Sequence, residues 1–146
     1  MTRVDFYSLP EHGDSGKTAC MLTEKARQRG HTIRIRAASR ADALQLDEML
    51  WTFRDISFIP HRLADESEDS AAHVTIEWEG AQTDAGDVLI NLTAVIPEES
   101  GRFNRIIELV PADAAERQAA RERFRFYREQ GLELHHHEMG QGDAES

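Results

Sequence analysis

The chain has a single cysteine, no long apolar run, few aromatic rings and too little positive charge to balance its acids. Cys20 has no partner for an intrachain disulfide, and no basic, apolar leader opens the sequence, so a reducing cytoplasm is the expected setting. No apolar stretch approaches the roughly 20 residues that a membrane span requires. Against 27 Asp and Glu stand 17 Lys and Arg, a net charge of -10 that repels phosphate backbones unless basic residues are gathered on one face. Aromatic residues make up 7% of the chain, too few for a track of stacking platforms, so strong direct nucleic-acid binding is not expected.

What is present suits one domain. A chain of 146 residues hides roughly 70% of its unfolded surface on folding and needs no staples. Residues 1–140 are expected to form the domain, and residues 141–146, polar and acidic with nothing to bury, a frayed tail. Val4 to Leu9 mixes β-branched, aromatic and apolar residues before Pro10 and Gly13, the pattern of a short strand ending in a turn. Ala19, Leu22 and Ala26 then recur at helical spacing, with Asp14 or Ser15 to cap the start and Gly30 to end it. Ile33 and Ile35 alternate with Arg34 and Arg36, and Ser39 to Asp42 reads as a second helix start ahead of Ala43, Leu46 and Leu50. This β-α-β-α opening predicts parallel strands covered by helices. A surface loop is expected from Ile56 through Ala72, followed by strands around Val74 to Trp78, Val88 to Val95 and Phe103 to Val110. A long helix from about Ala112 to Gln130 ends at Gly131, and Leu132 and Leu134 suit one short final strand.

Few residues suggest chemistry. Gly16-Lys17-Thr18 lies between a strand and a helix, where a phosphate-binding loop would sit, and a nucleotide-binding enzyme is the alternative reading. Yet Glu11 stands where the motif needs its first glycine, and its charge opposes phosphate. Consecutive His135, His136 and His137 point alternately to two faces of a strand, so only the outer two can share a ligand, and a solvated strand end is the simpler account. No nucleophile-elbow sequence presents a Ser or His. Catalytic residues, metal ligands and cofactors are therefore not expected.

The last helix carries the strongest signal. Arg117, Arg121, Arg125 and Arg128 are spaced by four, four and three, which gathers them in a stripe roughly 80° wide, with Phe124 at its edge. Guanidinium groups fork onto carboxylates, and the adjoining ring offers a pocket for an apolar side chain. The ligand such a strip fits is an acidic peptide with a hydrophobic end. Trp51, Phe58, Ile59 and Pro60 cluster around one irregular segment, either packed beneath a loop or exposed as a docking patch.

Together with the opening Val4-Asp5-Phe6-Tyr7, a series of blocks carries a family likeness over nearly the whole chain. They are Leu46-Asp47-Glu48 with Leu50-Trp51, Ser57-Phe58, Pro60-His61, Asp87-Val88-Leu89-Ile90, Ala120-Arg121-Glu122-Arg123 and Tyr127-Arg128. In these blocks the chain resembles the chi subunits of the DNA polymerase III holoenzyme, which belong to the clamp-loader assembly. The resemblance implies a three-layer α/β/α fold with a central, mostly parallel sheet, no enzymatic activity, and two partner surfaces. One takes the acidic, Phe-terminated tail of single-stranded DNA-binding protein and carries over to Arg117, Arg121, Phe124 and Arg125, beside which Arg128 completes the stripe. Phe124 stands where better-known members have Tyr, and Arg117 and Arg125 where they have Lys, so charge is kept and a phenolic hydrogen bond is lost. The other surface takes the psi subunit, or in its place another protein such as a helicase, and carries over to Trp51, Phe58 and Pro60.

Overall fold

The computed structural model describes residues 2–52, 61–64, 74–79, 87–97 and 102–139. Phe58, Ile59, Pro60, the expected loop apart from residues 61–64, and the tail 141–146 lie outside the described residues. The elements run β1 (Arg3–Ser8), α1 (Ser15–Gln28), β2 (Ile33–Arg36), α2 (Arg40–Thr52), β3 (His61–Leu63), β4 (Val74–Glu77), β5 (Val88–Asn91), β6 (Arg105–Val110), α3 (Ala114–Glu129) and β7 (Glu133–Glu138).

The helices begin and end where their chemistry dictates. The Asp14 carboxylate accepts the Lys17 N–H at 3.2 Å, Ser39 Oγ accepts the Asp42 N–H at 3.2 Å, and the Asp113 carboxylate accepts the Glu116 N–H at 3.1 Å. Gly30 and Gly131 follow α1 and α3 with φ of 85° and 78°, a left-handed turn that a Cβ would disfavour.

Seven strands form one sheet in the order β3-β4-β2-β5-β6-β1-β7, and every pairing is parallel. Such a sheet requires cover on both faces. Helices α1 and α2 cover one face, over Ile33, Ile35, Val88, Ile90 and Ile107. Helix α3 covers the other, over Val4, Phe6, Leu89, Ile106 and Val110. The result is the expected three-layer arrangement, with neighbours such as Ile106 and Ile107 assigned to opposite cores by strand alternation.

Two local expectations need correction. Within the expected loop, His61–Leu63 is an edge strand paired with β4. Three residues are too few to show alternation, and only pairing with a distant strand defines it. The final strand also begins at Glu133 rather than at Leu132, while the polar run His135, His136 and His137 lies in its ladder with β1, as a strand end there requires.

Four polar residues interrupt the apolar strands and lie in register on the α3 face. Glu77, Arg36, Asn91 and Glu108 are aligned across β4, β2, β5 and β6, all buried. Arg36 holds Glu77 through Nε and Nη2 at 2.9 and 2.6 Å. Glu108 accepts Arg123 Nε at 3.1 Å on one oxygen, and Tyr127 Oη at 2.6 Å and Asn91 Nδ2 at 3.0 Å on the other. Burial and the adjoining Glu108 carboxylate push the Tyr127 hydroxyl up, which keeps it a neutral donor.

Asp5, on the opposite face, is a second hub. Burial pushes its carboxyl up, but hydrogen bonds from Arg3, His137 and Arg105 outweigh that and hold it below the ordinary carboxylate range. A carboxyl with a depressed folded value contributes stability that is complete above its unfolded value, roughly 4, and is lost as pH falls through the folded value. The urea midpoints of wild type and Asp5→Asn should therefore converge on acidification below about pH 4. A gap independent of pH would contradict this assignment.

Candidate binding site

Helix α3 faces the sheet through Ala120, Arg123 and Tyr127, at spacings of three and four. The two charged and phenolic groups clamp it onto Glu108 of β6, which fixes its rotation. That rotation carries Arg117, Arg121 and Phe124 to the side of the helix overhanging β1 and β7. There they line a cavity of about 240 Å3 with Phe6, Ser8, Val110, Ala120, His136 and Glu138.

The floor is apolar and the walls are charged. Phe124 packs on Phe6 with ring centroids 5.3 Å apart and planes inclined at 57°, and Phe6 also meets the edge of Tyr127 at 6.0 Å. Arg117 is half-buried and donates through Nη2 to the Leu9 carbonyl at 3.3 Å, leaving its remaining N–H groups to other acceptors. Arg121 is exposed, held by Gln118 Oε1 at 3.3 Å. His136 shares a 2.8 Å hydrogen bond with Ser8 Oγ at the β7 side. Chemically, the cavity offers a ring-lined hole of side-chain size beneath two guanidinium forks.

Of the stripe, Arg117, Arg121 and Phe124 come together in this cavity. Arg125 and Arg128 are exposed farther along the helix and are not among its lining residues. Phe6, Val110 and His136 were not anticipated as site residues. Alternation in β1 and β7 assigns Phe6 and His136 to one face, but only the register Phe6 opposite His136 shows them to be adjacent.

The other singled-out residues are placed as follows. Trp51 lies in the last turn of α2 with 47% of its surface exposed, its ring 4.5 Å from that of His61, and Leu44, two turns earlier on the same helix, is also exposed. The Asp14 carboxylate already occupies the α1 N-terminus, and a Cβ on Gly16 would lie 3.0 Å from the Met49 side chain. Gly16 thus serves close packing against α2. Cys20 is buried, and burial pushes its thiol up to about 12, so it is inert. Among the described residues no group of three or more metal-type ligands occurs and no helix is long and apolar enough to cross a membrane.

Comparison with known proteins converges on one family. Residues 1–135 match the family model described as "DNA polymerase III chi subunit, HolC". The chain is 44% identical to the DNA polymerase III subunit chi of Pseudomonas aeruginosa over 95% of this chain and 98% of that protein. It is 37% identical to the subunit chi of Haemophilus influenzae, over 94% and 97% respectively. To the subunit chi of Escherichia coli it is 31% identical, over 91% and 88%. With matches of this extent, and the all-parallel α/β core beneath them, the chain belongs to the DNA polymerase III chi subunit family.

Proposed function

We propose that this chi-family protein is a non-catalytic adaptor of the cytoplasmic clamp-loader assembly. It binds the C-terminal tail of single-stranded DNA-binding protein on one side and the psi subunit on another. The observation that carries the reading is the α3 cavity, where Arg117 and Arg121 overhang an aromatic floor made by Phe124 and Phe6. Carboxylates of the tail meet the guanidinium forks, and the terminal aromatic side chain enters the apolar hole. Arg125 and Arg128 add longer-range attraction along the same helix. Exposed Trp51, with Leu44 two turns away, supports the second surface, where psi or another protein such as a helicase docks. Joining two partners raises the local concentration of the polymerase machinery at protein-coated single strands.

The nucleotide-enzyme reading has less support. Asp14 places a negative charge at the helix terminus where a phosphate would need a positive field.

Fluorescence anisotropy of a labelled tail peptide, titrated with wild-type and Arg121→Ala protein, tests the proposal. Binding by wild type that the variant loses supports it, and equal binding by both moves the contact off α3. Because exposed arginines meet carboxylates, raising salt should weaken the complex progressively while burial of the terminal ring leaves a residual affinity. A salt-independent dissociation constant would argue against this site.

A further inference from the structure

Strand β7 separates the α3 cavity from a second, larger one on the opposite face of the sheet, of about 400 Å3, between α1 and the β6-β1-β7 edge. Its wall is apolar and adaptable: Met21 and Leu22 from α1, Ile107 from β6 and Met139 just beyond β7. Its rim is basic. Lys25 on α1 and Arg29 at its C-terminal cap, four residues apart, are exposed and have no ion-pair partner among the described residues. Tyr7 and His137 stack at one end, with centroids 4.6 Å apart and planes at 18°, and the pair is held from below. Arg105 donates to Tyr7 Oη at 2.9 Å, while Arg105 and His137 both bond Asp5. Glu138 is the one acid in the lining.

We infer that this α1-side cavity is a second docking site, for an acidic segment of a partner protein that carries a large apolar side chain. Charge complementarity selects the occupant. In a chain of net charge -10, two unpaired cations on one rim mark where carboxylates are welcome. Methionine walls accept side chains of differing shape, as at surfaces that bind varied peptides. A nucleic-acid strand fits less well, because two free cations do not make a track for successive phosphates and the surrounding field is negative. The assignment uses none of the α3 residues and stands independently of the tail-binding proposal.

The test removes the α3 site first. A random peptide library displayed on phage is selected against full-length Arg121→Ala protein, and the enriched peptides are then titrated against Arg121→Ala with and without Lys25→Glu and Arg29→Glu. Both reversals lie on exposed positions, and circular dichroism of the variants verifies that they fold. The expected result is a consensus of acids beside a large apolar residue, with affinity falling on the order of tenfold or more in the reversal variants. Enrichment of peptides without acids, or of peptides indifferent to the reversals, overturns the proposal. So does failure to enrich any acid-bearing peptide. In that case, binding of a labelled single-stranded oligonucleotide that the reversals abolish would assign the cavity to nucleic acid instead.

Discussion

Arg123→Met should cost about 3–5 kcal/mol of folding stability, measured as a shift of the urea midpoint, because it strands a carboxylate in the core. Glu108 is fully buried, and Arg123 is the one cation in its hydrogen-bond set. Methionine keeps the length of the side chain while removing the charge, so most of the loss is electrostatic. Burial already pushes the Glu108 carboxyl up, and without the Arg123 charge it rises further. A raised folded value contributes stability that is present at low pH and lost as pH rises through it. The deficit of the variant should therefore shrink on acidification. Adding Glu108→Gln should restore much of the loss, since it removes the buried charge while its amide oxygen still accepts from Tyr127 and Asn91. A loss below about 1 kcal/mol, or one that the second change deepens, would mean that the pair does not anchor α3.

Arg121→Ala should weaken the tail-peptide complex by about 2 kcal/mol or more, roughly thirtyfold in Kd, with the urea midpoint unchanged. Its side chain is exposed and its hydrogen-bond partner is Gln118 on its own helix, so its removal leaves the fold intact. In the complex the guanidinium would be covered by peptide at the centre of the cavity, where truncation has its largest effects. Arg128→Ala provides the internal contrast. Lying outside the cavity lining, it should change Kd by about threefold or less at moderate salt, through long-range attraction alone. Equal losses for the two variants would point to a diffuse electrostatic strip rather than a pocket.

The two substitutions separate roles that a linear reading merges. Arg121 and Arg123 are two residues apart in one charged block, yet one is exposed above the cavity and the other is 3% exposed beneath the helix. Helical spacing places them on different sides of α3. It does not reveal that Glu108, inside the otherwise apolar run of β6, is the group awaiting Arg123. A polar or charged residue in such a run is a signal of a buried partner, and Asp5, Glu77 and Asn91 carry the same signal in β1, β4 and β5. Which cation answers which acid depends on strand order, and β2 lies between β4 and β5 for reasons no local window contains.

Local sequence is enough for the alternation of strands and helices, a capped start of α1 at Asp14 or Ser15, of which the structure uses Asp14, the glycine ends at Gly30 and Gly131, and the arginine stripe of α3. These depend on backbone chemistry and on a 3.6-residue period, which act over a few residues. Tertiary structure decided that β7 lies beside β1, and therefore that Phe6 and His136 join Arg117, Arg121 and Phe124 around one cavity. It also decided that His61–Leu63 pairs as a strand and that Lys25 and Arg29 border a cavity on the far face. Parallel neighbours are joined through crossovers that can pass over other strands, so their adjacency is set by packing of the whole sheet rather than by the residues of either strand.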